Sequence, residues 1–278
     1  MVVAVTGASG QLGQSLQYIA PEYAHVKFVF ASSAEADITD KTSVKAFFEK
    51  HNPDFCINAA AYTAVDKAES EPEAAYKVNA EGARNLAEAC NEFDTVLLHL
   101  STDFVFDGNK ATPYTEDDIP NPQSVYGKTK LEGENEIKAI ARKYFIIRTS
   151  WVYSQFGNNF MKTMIRLGRE RDSLSVVNDQ TGTPTNAVDL AEALMQIILS
   201  GSKEYGIYNY SNNGSCTWYE FAREIFSANN ISIDLQPIPT SAYPTPAKRP
   251  VYSVLDKAKI QCVFNMTIND WVSQIPDR

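Results

Sequence analysis

The chain of 278 residues has only four cysteines and three histidines, and neither set clusters. Cys56, Cys90, Cys216 and Cys262 lie far apart, with no C-x-x-C pair. A zinc site needs clustered ligands and a secreted disulfide framework needs denser cysteines, so neither is expected. Four idle thiols in a reducing compartment are the simpler reading. His25, His51 and His99 are equally scattered, and His99 sits in the apolar run Val96–Leu100, where a packed ring is expected rather than a ligand. No apolar stretch approaches the ~20 residues needed to cross a bilayer. Basic residues are also in deficit, 25 against 34 acidic, for a net charge of −9. That balance argues against nucleic acid or an anionic membrane as partner, since both call for a basic face. A single local pocket can still oppose the global sign and take one anionic ligand. The chain begins Met1-Val2-Val3-Ala4-Val5, with no basic region and cleavable apolar segment ahead of it, so a cytoplasmic protein is expected.

What is present is a soluble composition, 44% apolar and 21% charged, long enough to bury a core without metal or disulfide staples. The first half alternates strand-like and helix-like segments. Val2–Thr6, Lys27–Ala31, Phe55–Ala59, Thr95–Ser101 and Phe145–Thr149 read as strands. Gln11–Ala20, Lys41–His51, the alanine- and glutamate-rich Ala68–Phe93, and a stretch from Tyr126 to about Lys143 read as helices. Strands that alternate with helices and are apolar on both faces imply an α/β fold with a doubly wound parallel sheet. Beyond Trp151 the rhythm changes. Helical stretches at Asn159–Arg171, Val188–Leu199 and Trp218–Asn229 are separated by polar or proline-bearing segments, Asn178–Thr185, Asn209–Thr217 and Pro237–Pro250. We expect residues 1–150 to form this doubly wound domain. Residues 151–278 are expected to be mainly a smaller substrate-binding region, with some segments returning to pack on its sheet.

Thr6-Gly7-Ala8-Ser9-Gly10-Gln11-Leu12-Gly13 follows the first strand directly and opens a helix. Gly7 permits a tight turn, Gly10 lets the backbone approach a diphosphate, and Gly13 allows close helix–strand packing. The helix N-terminus offers free N–H groups and a partial positive charge to the phosphates. A bare glycine pattern is weak, but this one stands in the required strand–turn–helix context. An acidic residue about 20 positions further on often holds the adenosine ribose of NAD. Counting on from Gly13 reaches Ala31-Ser32-Ser33, with no carboxylate at the strand end and no arginine either. Ser32 is therefore a candidate donor to a ribose 2′-phosphate, which favours NADPH while leaving NADH possible. Asp37 and Ile38 are candidates for the adenine side.

Tyr126 and Lys130 stand four residues apart, on one helical face. The spacing gains weight from Ser101-Thr102-Asp103 at the end of the preceding strand, because ligands bind at the carboxyl ends of strands in an open parallel sheet. Carbonyl reduction needs a hydride and a proton. Tyr126 would donate the proton, Lys130 would lower the phenol's pKa from about 10 by its charge, and Thr102 would hold the carbonyl oxygen.

The segments TGASGQLG, NAAAYTAVDKAESEP, STDFVFDG, YGKTKLEGE and RTSWVY resemble the extended short-chain dehydrogenase/reductases. Through GNNF, NDQTGTPT, TWYEFA and AYPTPAKRP the resemblance narrows to the family of dTDP-4-dehydrorhamnose reductases and spans nearly the whole chain. It implies a Rossmann sheet carrying the cofactor, a C-terminal part carrying a dTDP-sugar, and reduction of the 4-keto sugar by NAD(P)H. The family's cofactor positions fall on Gly10, Gln11, Leu12, Asp37, Ile38, Ala61, Tyr62 and Thr63, and its catalytic pair on Tyr126 and Lys130. Thr102, Asp103 and Trp151 would meet the sugar, and Arg249 its diphosphate, an arginine fork suiting phosphate geometry. No catalytic metal is implied. Some members dimerise through a magnesium ion held by glutamates, one of them just after the glycine loop. Here Gln14-Ser15-Leu16 stands there and the chain ends soon after Trp271, so a monomer or weak homodimer is expected rather than a metal-bridged one. Two other readings are another nucleotide-sugar epimerase, dehydratase or reductase, and a non-catalytic NADP-binding regulatory subunit. A dehydratase tends to carry a second acid where this chain has Phe104.

Overall fold

A computed structural model describes residues 1–276. Five strands from the first half, β1 (Val2–Thr6), β2 (Lys27–Ala31), β3 (Phe55–Asn58), β4 (Val96–Thr102) and β5 (Tyr144–Thr149), pair in the order β2-β1-β3-β4-β5. Every one of these pairings is parallel. A sixth strand, Gly206–Asn209, extends the sheet in parallel beyond β5, with Ile207 opposite Ile146 and Asn209 opposite Arg148. This strand comes from the C-terminal half and lies in a stretch too short and mixed to read as a strand from pattern alone.

The period-two alternation divides the apolar side chains between two faces. Val3, Val5, Ile57, Leu98 and Ile147 point to one face. There they pack with Leu12 and Leu16 of helix α1 (Gln11–Ile19), with Leu190, Leu194 and Ile197 of helix Ala187–Ser200, and with Ile260 and Phe264. Ala4, Cys56, Leu97 and Ile146 point to the other. They meet Phe47 and Phe48 of helix α2 (Lys41–His51), Leu86 of helix Gly82–Glu92 and Ile137 of helix Val125–Ile140. The result is a three-layer doubly wound α/β fold, as the strand–helix rhythm implies.

The long helical reading of Ala68–Phe93 is broken. A short helix Val65–Ala68 precedes a restart at Pro72, and the turn Lys77–Glu81 is widened to π geometry before Gly82–Glu92 continues. Proline at a first helical position lacks only an N–H that would be free anyway, so Pro72 starts a helix rather than prolonging one. A third cluster, Tyr153, Met161, Met164, Phe221, Ile225, Phe226 and Trp271, fills the C-terminal region. There strands Ser173–Val177 and Asp234–Ile238 pair in parallel. All four cysteines are free thiols. Among the described residues no helix is long and apolar enough to cross a membrane, and no three metal-ligating side chains gather.

Candidate active site

The glycine loop is shaped by contacts that only glycine permits. Gly7 adopts φ +69°, and a Cβ there would lie 2.5 Å from the Ala60 nitrogen. A Cβ on Gly13 would lie 2.5 Å from the Gly7 carbonyl oxygen, so α1 is pressed onto the turn. Gly10 differs: its Cβ would meet only the Gly7 oxygen, at 3.3 Å, and otherwise open space. It begins α1 with no side-chain cap, which leaves the first-turn N–H groups of Gln11 and Leu12 without an internal partner. That opening suits a diphosphate at a helix N-terminus. The Gln11 side chain faces the C-terminal region instead. It donates to the Val152 carbonyl at 3.3 Å and accepts from Ser154 and Asn159 at 3.1 and 2.9 Å.

The loop after β3 carries Ala61, Tyr62 and Thr63, and it is clamped from the widened turn. Buried Asn79 accepts from the Tyr62 N–H at 2.9 Å, and its amide donates to the Tyr62 carbonyl and to Thr129 Oγ1. Asn79 stands within the π turn that a propensity argument passes over. Widened turns of this kind cluster at functional sites. Asp37 receives the Thr39 N–H and hydroxyl, while Ile38 is buried against Gly82. Ser32 gives both its N–H and its hydroxyl to the Glu35 carboxylate.

Thr102, Asp103, Tyr126 and Lys130 come together at the carboxyl end of β4. Ser124 caps the helix Val125–Ile140 by accepting from the Gly127 N–H at 3.1 Å, and Glu69 accepts from the Val125 N–H at 2.8 Å. A Cβ on Gly127 would lie 2.2 Å from the Phe104 oxygen, so the helix start is wedged against the turn after β4. Tyr126 stands edge-on to Phe104, 5.6 Å between ring centres. The buried Lys130 ammonium donates to the Leu100 carbonyl at 2.6 Å and lies 3.3 Å from His99 Nε2. His99 Nδ1 is 2.9 Å from the Asn58 amide nitrogen, whose partner oxygen accepts from Thr6 and the Ala60 N–H. One turn further, buried Glu134 takes a two-pronged bond from Arg148 of β5 at 3.0 and 2.7 Å and accepts from Ser101. These contacts fix the helix to β4 and β5.

Burial sets the protonation at this edge. Desolvation pushes Tyr126 up to about 12, with the Asp103 charge adding and the Thr102 hydroxyl opposing. The lowering expected of Lys130 is not found: burial and Asp103 raise the phenol, and the Thr102 hydroxyl is what pulls it down. Burial brings Lys130 down to about 8, against a smaller upward pull from Glu134. Asp103 is pushed up to about 6, chiefly by burial, against the Ser253 and Thr102 hydroxyls. Its Oδ2 has no hydrogen-bond partner.

Trp151 follows β5 in a left-handed conformation, φ +46°, uncommon for a bulky residue and a pointer to function. Its indole stacks on Trp218 at 3.5 Å and 9° between ring planes, and Trp218 Nε1 donates to Gln180. Gly182 lies directly beneath, where a Cβ would be 2.5 Å from the Trp151 ring. Arg249 is not free in this arrangement. Its guanidinium makes a bidentate pair with Asp66 at 2.9 and 2.8 Å, joining the last proline-rich loop to the segment after β3.

The family model described as RmlD substrate binding domain matches residues 1–278. A dTDP-4-dehydrorhamnose reductase of Aggregatibacter actinomycetemcomitans is 43% identical over 277 residues, covering 96% of this chain and 94% of that protein. The reductase of Escherichia coli strain K12 is 41% identical over 282 residues, covering 98% and 94%. Among solved structures, a dTDP-4-dehydrorhamnose reductase from Clostridium acetobutylicum superposes with a TM-score of 0.94 at 44% identity, over 98% of this chain and 96% of that one. One from Bacillus anthracis, in complex with NADP, gives 0.94 at 41% identity, over 99% and 96%. This chain belongs to the dTDP-4-dehydrorhamnose reductase family. A UDP-glucose 4-epimerase from Thermus thermophilus, 20% identical with a TM-score of 0.80, shares the fold alone.

Against this family background, several site-building residues carry no local sequence signal. His99 reads as core and is core, yet it touches Lys130. Asn79, Asn58 and Gln180 are ordinary polar letters whose roles depend on pairs far apart in the chain. Asp66 and Glu69 lie in a segment quoted above only for its likeness to the family, and they fasten Arg249 and the helix bearing Tyr126.

Proposed function

We propose that this chain reduces dTDP-4-dehydro-β-L-rhamnose to dTDP-β-L-rhamnose with NADPH, NADH also serving, as the final step of dTDP-L-rhamnose synthesis. The observation that carries the reading is the meeting of Thr102, Tyr126 and Lys130 at the carboxyl end of β4, in a chain about 40% identical along nearly its whole length to reductases of that name. When bound, the nicotinamide supplies the hydride. The chain's residues bind, orient and protonate. Residues 1–150 hold the cofactor, with Gly7, Gly10, Gln11, Leu12 and Gly13 around the diphosphate, and residues 151–278 mainly hold the sugar nucleotide.

Tyr126 keeps its proton at neutral pH, because burial holds the phenol up, and it gives that proton to the oxygen at C4. Thr102 orients that oxygen. Lys130, anchored on Leu100 and close to His99, faces the cofactor ribose and the phenol. Trp151, supported by Trp218, contacts the deoxysugar. Arg249 takes the diphosphate once its fork, paired with Asp66 in this arrangement, is released to the phosphates. Phe104, where a dehydratase would carry a second acid, is an apolar ring against Tyr126 and favours simple reduction.

The test is Tyr126→Phe. Turnover should fall by roughly 10²–10⁴-fold, the range for losing a positioned proton donor, while NADPH affinity stays within about twofold. Unchanged turnover would sink the mechanism.

A further inference from the structure

Strand β2 ends at Ala31, whose carbonyl accepts the N–H of Ala8 in the glycine loop at 3.1 Å. The end of β2 is therefore tied to the diphosphate turn, and in a Rossmann fold the adenosine ribose lies there. Counted along the chain, Ala31-Ser32-Ser33 offers hydroxyls and no acid. Folding changes that count. The Ser32 carbonyl accepts from the N–H groups of Glu35 and Ala36 at 3.1 and 2.9 Å, and this turn brings Glu35 back over the strand end. Its Oε2 accepts the Ser32 N–H at 2.6 Å and the Ser32 hydroxyl as well. Glu35 is exposed and supports no core, so nothing in the packing requires a carboxylate here. The Ser32 hydrogen bonds, aided by the charge of Lys50, hold its carboxyl below the usual range and hence ionised.

A ribose 2′-phosphate arriving at this corner would find both Ser32 donors taken and a negative charge in their place. A bare 2′-hydroxyl would find an acceptor. We propose that Glu35 is the residue that weighs the two cofactors in this chain: it competes with the 2′-phosphate of NADPH for Ser32 and offers the bare 2′-hydroxyl of NADH an acceptor, which lets NADH serve beside NADPH. NADPH binds when Glu35 releases Ser32 to the phosphate. The proposal rests on the reading of the chain as a nicotinamide-dependent reductase and adds to it the residue that weighs one cofactor against the other.

The experiment is direct binding to the sugar-free protein, read by nicotinamide fluorescence and by competition with ADP-ribose and 2′-phospho-ADP-ribose. Glu35→Gln keeps the shape and removes the charge. It should tighten NADPH by about tenfold and shift NADH by less than about threefold. Adding Ser32→Ala to Glu35→Gln should remove most of that gain, whereas Ser32→Ala alone should change NADPH little, because Glu35 already occupies the hydroxyl. Equal shifts for both nucleotides, or none, would overturn the proposal while leaving the reductase reading standing. A wild-type protein that bound neither nucleotide would overturn both.

Discussion

Asp103 shows how much one buried carboxyl can weigh. It is fully buried beside Thr102, one of its oxygens is unpartnered, and burial lifts its pKa from 3.8 to about 6. Between those values the folded protein binds more protons than the unfolded chain, so stability falls as pH rises through that window. Above about pH 6 the cost of the buried charge is fully present. A shift of about two units corresponds to no more than about 3 kcal/mol. Asp103→Asn keeps an acceptor for Thr102 and removes the charge. It should raise Tm at pH 8 by several degrees over wild type, and the difference should vanish near pH 4. Thermal unfolding at the two pH values checks this, and an equal shift at both would remove the charge from the explanation. The place of Asp103 at the end of β4 was legible from the strand pattern. Its missing partner was not, because satisfaction of a carboxylate depends on Ser253 and its surroundings, 150 positions away.

At the scale of elements, the strands and most helices of the first half could be read from periodicity, because a strand buried on both faces must be apolar throughout. The exceptions differ in cause. The break before Pro72 follows from proline opening a new helix, a local signal that the alanine- and glutamate-rich composition masks, whereas the widened turn at Lys77–Glu81 is a tertiary compromise: a Cβ on Gly133 would lie 2.2 Å from the Asn79 carbonyl, so two helices meet backbone to backbone there. Helix propensity has no term for that approach. The short strand Thr181–Gly182 is equally invisible, since two residues make no pattern, yet it seats Trp151. Gly182→Ala would drive a methyl group into the indole and displace the Trp151–Trp218 stack. We predict a rise in KM for the sugar nucleotide of roughly tenfold or more, with the dissociation constant for NADPH unchanged within about twofold. Steady-state kinetics beside a binding titration separates these, and a loss of cofactor affinity instead would assign this strand to the wrong half of the site.

Across the whole molecule, the packing does not divide at residue 150. Gly206–Asn209 completes the main sheet, Ala187–Ser200 covers α1, and the Gln11 side chain ties the glycine loop to Ser154 and Asn159. The Asp66–Arg249 pair makes a further tie between the two halves of the chain. The glycine loop and the region of Trp151 and Trp218 are therefore parts of one packed body, which suits a reaction that must hold a nicotinamide and a carbonyl carbon in reach of each other. An acidic protein can take anionic ligands through local devices without any change to its overall sign: the proposal gives the cofactor diphosphate an open helix N-terminus and the sugar nucleotide an arginine fork.

The measurement that bears most directly on this account is the stoichiometry of cofactor oxidation with dTDP-4-dehydrorhamnose, followed by absorbance of the reduced nicotinamide and by analysis of the sugar product. The account predicts one reduced nicotinamide consumed for each dTDP-rhamnose formed, with either NADPH or NADH. Conversion of the sugar nucleotide with no net oxidation would contradict it, because an epimerase or dehydratase regenerates its cofactor and a reductase does not.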